Sequence, residues 1–430
     1  MSIHDLKGLA ERFAAIAARL ARDRAGISDG AGWFVPGRIE VVGKHTDYAG
    51  GRSLVCAIDR GLCVVARSRR DDRVSIEDLR RQSAVVLDAG ETEPALHWAV
   101  YPLTVLRRLT ANFGPLRGAD IVFDSDLPSA AGLSSSSALM IAVLQAIVRT
   151  NALDRTETWR ENISNDQDLA AFAATIENGS SFRELRGERG VGTEGGSQDH
   201  TAILCSTARS LTQFSYKPTR LEGQVPFAPH LTFVIGVSGV RAQKTGSARE
   251  DYNRAAQSAA AILQRWQQST GQSHPTLAEA IASTPAAEES LRASLHDRRD
   301  LVDRLDQFFE ESFTIVPAAR QALADGDLES FGRVVDRSQS LAERLLRNQV
   351  AETIDLARLA REHGAVAASA FGAGFGGSVW ALIDTAQAQA FIDRWQNAYR
   401  GVHPDAALRA AFFATRPGPP VFEVELPERS

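Results

Sequence analysis

The spacing of apolar positions predicts a chain of mixed strands and helices. Residues Leu6 to Leu20 interleave apolar positions with Lys7, Glu11, Arg12 and Arg19, the pattern of an amphipathic helix. Asp29-Gly30-Ala31-Gly32 marks a turn. Trp33 to Val35 and Ile39 to Val42 predict two short strands flanking Pro36-Gly37-Arg38. Leu62 to Ala66, Val74 to Ile76 and Gly118 to Phe123 predict further strands, and Leu96 to Leu109 has helical spacing. The apolar run Ala138 to Val148 predicts a buried helix, and Leu169 to Asn178 another. Phe182 to Gly195 is charged and glycine-rich, the composition of an exposed loop. Farther on, Leu231 to Val237 predicts a buried strand. Helices follow around Arg249 to Trp266, Leu277 to Ala282 and Asp297 to Phe309. Gly364 to Ala370 and Val379 to Ile383 predict strands around a glycine turn, Thr385 to Tyr399 a helix, and the proline-punctuated end a strand.

Strands and helices mix here without a clean β-α-β alternation, which points to an α+β fold and not to a doubly wound sheet. A chain of 430 residues is long enough for two domains. A boundary near residues 206 to 230 sets expected domains at 1–215 and 216–430.

Composition narrows the classes. Lys and Arg total 48 against 53 Asp and Glu, a net charge of -5, so no global field draws the chain to nucleic acid or to an anionic membrane. An anionic ligand therefore needs a local site. The longest apolar run is far shorter than the roughly 20 residues of a membrane span, and the first helix lacks the unbroken apolar run of a secretory leader. Three cysteines, Cys56, Cys63 and Cys205, are too few for a disulfide framework. The expectation is a cytoplasmic protein with no nucleic-acid or membrane partner, a monomer or weak oligomer.

Three stretches carry candidate chemistry. Leu127-Pro128-Ser129-Ala130-Ala131-Gly132-Leu133-Ser134-Ser135-Ser136-Ser137-Ala138 sets small residues and four hydroxyls ahead of an apolar helix. Small residues let the backbone approach a ligand, and the helix start offers free N–H groups and a positive dipole end. That is an anion site suited to polyphosphate. It lacks the Gly-Lys-[Ser/Thr] of a Walker loop. A serine run after a turn also serves as a plain helix cap, and the framing by Pro128, Gly132 and Ala138 favours the phosphate reading. Phe371-Gly372-Ala373-Gly374-Phe375-Gly376-Gly377-Ser378 is a glycine turn before a strand, either a hairpin turn or a place of close backbone approach. Pro36 to Gly51 gathers Arg38, Lys44, His45 and Asp47 around a strand, donors and acceptors that suit a polyhydroxylated ligand.

In order and spacing these stretches resemble the GHMP kinase superfamily and, within it, the galactokinase-type sugar kinases. Gly37 to Gly51 is similar to the G-R-x-N-x-I-G-E-H-T-D-Y-x-G-G signature, Pro128 to Ala138 to the P-x-x-x-G-L-S-S-S-A phosphate loop, and Gly372 to Gly377 to the G-x-G-F-G-G turn. The resemblance implies an N-terminal mixed-sheet domain, a C-terminal α+β domain and an active site in the cleft between them. It implies ATP- and Mg²⁺-dependent phosphorylation of a sugar at its anomeric hydroxyl. Asp199, in Gly196-Ser197-Gln198-Asp199-His200, inherits the role of base or orienter of that hydroxyl, and Arg38 lies beside the transferring phosphate. Lys44, His45, Asp47, Gly196 and Tyr252 match sugar-binding positions. Gly132, Leu133, Ser134, Ser135 and Ser136 match the ATP phosphate loop, Trp98 a position near the adenine, and Ser136 with Glu177 the Mg²⁺ ligands. The physics agrees: phosphoryl transfer asks mainly for positioning and charge neutralisation. Mg²⁺ needs few protein oxygens, and an Asp beside an Arg stays ionised.

The chain departs from the motifs at three places. Lys44 replaces a glutamate that receives a sugar hydroxyl in the family, Glu40 replaces an asparagine, and Gln198-Asp199-His200 replaces Met-Asp-Gln. Lysine accepts no hydrogen bond. Lys44 therefore raises the alternative of a uronic acid such as galacturonate, paired through its C6 carboxylate. A non-catalytic sugar- and ATP-sensing regulator and a mevalonate- or homoserine-type kinase are further readings. The intact serine loop and Asp199 argue against the first, and His45-Thr46-Asp47-Tyr48 against the second.

Overall fold

The computed structural model describes residues 3–23, 30–91, 93–128, 131–241 and 247–426. Ser129 and Ala130 of the serine loop lie outside the described residues.

Twelve strands build two sheets among these residues. They are β1 (Ala31–Val42), β2 (Arg52–Ser68), β3 (Val74–Asp78), β4 (Ser83–Leu87), β5 (Ala119–Ser125), β6 (Ser210–Ser215), β7 (Arg220–Pro226), β8 (Leu231–Val237), β9 (Ala367–Phe371), β10 (Ser378–Asp384), β11 (Ala411–Thr415) and β12 (Phe422–Val424). The first sheet runs β12-β1-β2-β5-β3-β4, with β6 and β7 branching from β2. The long β2 makes the branch: Arg52 to Val55 pair with β6, and Leu62 to Ser68 pair with β5. Only β3 and β5 pair in parallel; the other pairs are antiparallel. The second sheet is β11-β8-β10-β9, all antiparallel.

The two strands expected around Pro36 are one strand, β1. Its pairing with β2 shifts register between Pro36 and Arg38 and again between Glu40 and Val42. Proline has no N–H to give to a ladder, so a bulge absorbs it. Alternation then sorts the side chains. Phe34 joins Cys63, Val65 and Val122 against Phe13, Ile16 and Leu20 of the first helix, while Trp33, Val35, Ile39 and Val41 enter the main core on the other side. The apolar helix Ser135–Asn151 lies inside that core, which is why its apolar residues run all around it and not along one stripe.

The main core is continuous between the sheets. Phe233, Ile235, Trp380 and Leu382 from β8 and β10 belong to it together with Phe331 and Val335 of the helix Leu328–Leu341. The opposite face of the second sheet packs on Leu356, Phe391, Trp395 and Tyr399. A third cluster joins Ile262, Trp266, Leu277, Leu291, Leu305 and Phe308 from helices of the second half with Ala49 from the first. Two strands past the expected boundary at 215/216 belong to the first sheet: β7 completes a hairpin with β6, and β12 returns to β1. The Phe182 to Gly195 stretch is only partly exposed. Phe182 and Leu185 form a bridge, and Leu185 is buried, held by Arg108 through its carbonyl at 3.2 Å. Among the described residues no helix is long and apolar enough to cross a membrane.

Trp380 is fully buried between Phe233 and Phe331. Trp380→Ala is expected to destabilise the chain by about 3–5 kcal/mol, read as a lowered denaturant midpoint; an unchanged midpoint would contradict the continuous core.

Candidate active site

A solvent-open cleft of about 530 Å³ is walled by residues from both halves of the chain, among them Arg38, Glu40, His45, Asp47, Asp199, Tyr252 and Gly372. Arg38 organises it. Alternation along β1 sends Ile39 and Val41 into the core and leaves Arg38 and Glu40 to the cleft. The Arg38 guanidinium is buried; its Nε donates to Asp199 Oδ1 at 2.7 Å, its Nη2 lies 2.6 Å from the same oxygen, and its Nη1 donates to the carbonyl of Gly132. The backbone N–H of Arg38 donates to the carbonyl of Leu133 at 3.2 Å. One residue thus joins the first motif, the serine loop and the first turn of the helix Gln198–Cys205.

The glycine turn connects β9 to β10, so it is a hairpin loop, and it also packs on the serine loop. Gly372, Gly374, Gly376 and Gly377 all have positive φ, a path that glycine takes without strain, and Phe375 sits among them in the left-handed region. A Cβ on Gly372 would meet the carbonyl oxygen of Gly132 at 3.2 Å, and Ser378 Oγ donates to the carbonyl of Ala131 at 2.5 Å. Behind it, Ser134 is in the left-handed region and starts the helix Ser135–Asn151. The Ser134 hydroxyl is buried and has no hydrogen-bond partner among the described residues. An orphaned donor beside the open N–H groups of a helix start is what an anionic oxygen satisfies, so the residues present fit a phosphate chain.

Farther along the cleft, Asp47 Oδ2 accepts from the backbone N–H of Gln198 at 3.0 Å. A Cβ on Gly196 would stand 2.5 Å from the Asp47 carboxylate, so only glycine lets these segments meet. His45 Nδ1 pairs with Tyr48 Oη at 3.1 Å and its Nε2 with the carbonyl of Ala373 at 3.1 Å, while the Tyr252 ring tilts against it at 5.3 Å. Arg304 Nη2 donates to the carbonyl of His45 and, at 3.0 Å, to Tyr48 Oη. Burial pushes the Tyr48 phenol up to about 12, so it stays protonated. Burial also holds the Asp47 carboxyl above its usual range, opposed by the Gln198 N–H and reinforced by the charge of Asp199.

Glu177, buried on the helix Asp166–Asn178, lies against the serine helix. Its Oε2 accepts from Ser137 Oγ at 3.3 Å and stands 3.4 Å from His200 Nε2. Ser137, next to the expected Ser136, thus bonds Glu177 directly. Trp98 sits on the short turn His97–Ala99, donates from its indole N–H to Ser83 Oγ at 3.2 Å and is not among the residues that wall the cleft.

Lys44 does not project into the cleft. It is 1% exposed, and its Nζ donates to Ser338 Oγ at 2.9 Å; Ser338 in turn donates to Glu311 Oε1 at 2.8 Å. Glu311 also accepts from the backbone N–H groups of Gly43 and Lys44. The pairing of Lys44 with a sugar carboxylate, expected for the uronic-acid alternative, is absent from this arrangement. The amine is linked to Glu311 only through the Ser338 hydroxyl, and both residues lie far along the chain, where no local pattern could have flagged them. The sequence reading also passed over Gln198, Tyr48 and Glu40 as site residues. Two of them, Glu40 and Gln198, stood out only as departures from a motif.

Comparison with known proteins agrees with this geometry. Residues 22–68 match a galactokinase galactose-binding signature, residues 100–183 the GHMP kinase N-terminal domain and residues 319–401 the GHMP kinase C-terminal family. The chain is 28% identical over 380 residues to a galactokinase of Roseiflexus, covering 87% of this chain and 88% of that one. It is 29% identical over 371 residues to one of Chloroflexus aggregans, covering 83% and 85%. The fold is similar to galactokinase from Lactococcus lactis in complex with galactose, with a TM-score of 0.77 at 22% identity over 95% of this chain and 99% of that one. It is also similar to mevalonate kinase from Methanococcus jannaschii, with a TM-score of 0.54 at 14% identity over 91% and 99%. The chain belongs to the GHMP kinases, among their galactokinase-like sugar kinases.

Proposed function

We propose that this protein transfers the terminal phosphoryl group of ATP to the anomeric hydroxyl of galactose. The observation that carries the reading is the Arg38 guanidinium, which touches Asp199 and the Gly132 carbonyl at once. It ties the carboxylate that faces the acceptor to the loop suited to phosphate. Asp199 orients the acceptor hydroxyl and takes its proton; Arg38 stabilises the charge of the phosphoryl in flight. The serine loop from Gly132 to Ser136 holds the phosphates through backbone N–H groups and hydroxyls. His45, Asp47, Gly196 and Tyr252 shape the sugar subsite, and Trp98 supports the nucleotide side.

Ser136 and Glu177 supply a hydroxyl and a carboxylate suited to Mg²⁺, with Ser137 and His200 holding the Glu177 carboxylate in place. Mg²⁺, when bound, would neutralise phosphate charge. A cytoplasmic, monomeric or weakly associating enzyme is the companion proposal. It is supported by three free cysteines. No observation favours the uronic-acid reading, because the Lys44 amine is engaged by Ser338.

ATP turnover against a panel of galactose, galacturonate, L-arabinose and mevalonate tests the reading. Galactose is expected to give the highest kcat/KM; turnover of mevalonate alone, or of no acceptor, would overturn it. Asp199→Asn is expected to lower kcat about 10²- to 10⁴-fold, with a lowered melting temperature because the buried Arg38 loses its counter-charge. A variant that keeps a tenth or more of wild-type kcat would remove Asp199 from proton transfer.

A further inference from the structure

Glu40 is the one acidic cleft residue that the proposed chemistry does not use. It is 2% exposed and lines the cleft beside Arg38 and Asp199. One carboxylate oxygen, Oε2, accepts from Gln198 Nε2. The other, Oε1, is buried without a hydrogen-bond partner among the described residues. Lys44 spends its amine on Ser338 and does not fill that place. Alternation along β1 puts Glu40 on the same face as Arg38, toward the cleft. A buried carboxylate oxygen left without a donor is costly, so a site that keeps one has a donor arriving from elsewhere. The opening beside it is the acceptor cleft.

We propose that Glu40 Oε1 accepts a hydrogen bond from a hydroxyl of the bound sugar, and that Glu40 is a specificity-determining residue of this site. The inference rests on the sugar-kinase reading and deepens it. A hydroxyl donor matches the orphaned acceptor. A sugar carboxylate does not, because it brings a second negative charge to a dry oxygen and leaves Oε1 unpaired. Burial pushes Glu40 up to about 7 against the pull of Lys44 and Arg38, which marks how dry the position is. Gln198 holds the carboxylate in its rotamer, so Glu40 and Gln198 act as one device: the glutamine fixes Oε2, and Oε1 is turned to the ligand.

The experiment measures kcat/KM for galactose, its 2-, 3-, 4- and 6-deoxy derivatives and galacturonate with the wild type, Glu40→Met and Glu40→Gln, with melting temperatures alongside. In the wild type, one deoxy sugar is expected to lose roughly 10- to 100-fold relative to galactose through this contact. Glu40→Met is expected to lose a similar factor on galactose, chiefly in KM, and to lose nothing further on that deoxy sugar while still discriminating against the others. Glu40→Gln can keep the Gln198 bond through its amide oxygen and presents an NH₂ where Oε1 stood. Its discrimination against the same deoxy sugar is expected to shrink and its relative use of galacturonate to rise. Equal losses on galactose and on every deoxy sugar would mean that Glu40 only braces Gln198 and the Asp199 helix, and would overturn the proposal. So would variants that match the wild type on every substrate. If Glu40→Met does not fold, Glu40→Gln decides by its ratio alone. A wild type that phosphorylates no sugar in the set would defeat the sugar-kinase reading as well, whereas an active wild type with flat variant profiles defeats the Glu40 assignment alone.

Discussion

The Arg38 guanidinium is the constraint on which the site depends. It is a buried cation, and a buried cation persists only where fixed oxygens surround it. Here those oxygens are the Asp199 carboxylate and the Gly132 carbonyl, and they come from segments 67 or more residues apart. The need to satisfy one guanidinium therefore holds the serine loop and the Asp199 helix at a set separation. The glycine turn closes the arrangement from the second sheet, because its backbone can press on Gly132 and Ala131 where a side chain would not fit.

The sugar side is held by a second buried network that enters from the helical half. Glu311 gathers the N–H groups of Gly43 and Lys44, Gln307 Nε2 donates to the Lys44 carbonyl at 3.0 Å, and Arg304 reaches the His45 carbonyl. His45 has a φ of 56°, in the left-handed region, and these contacts over-determine a backbone that would otherwise relax. Glu311 lies on the π-helical segment Glu310–Ile315, where an extra residue per turn displaces its side chain from a regular helical track. The turn that carries His45 and Asp47 is thus shaped as much by helices far along the chain as by its own sequence.

The departures from the family motifs are not scattered. Glu40 and Gln198 bond to each other, and Lys44 is the leading cation acting on Glu40. In a dry pocket, a charge introduced at one position alone would be left uncompensated, so changes of charge there come as a set. That coupling explains why the phosphate loop and the Arg38–Asp199 pair can stay as the family has them while the acceptor subsite differs.

Local pattern alone determined much of this molecule. The buried strand Leu231 to Val237, the apolar run Ala138 to Val148 and the Leu277–Ala282 helix were legible, because their signals come from neighbours in sequence. So were the three motifs and the α+β class. Tertiary structure decided the rest. It fused the two strands around Pro36 into β1 through bulges, carried β12 back to the first sheet, and set the Ser137 hydroxyl against Glu177. It also turned Lys44 away from the cleft toward Ser338 and left Glu40 facing it. The physical reason is the same in each case: where a buried polar group points depends on which distant partner satisfies it, and that partner is chosen by packing between elements, which spacing along the chain does not encode.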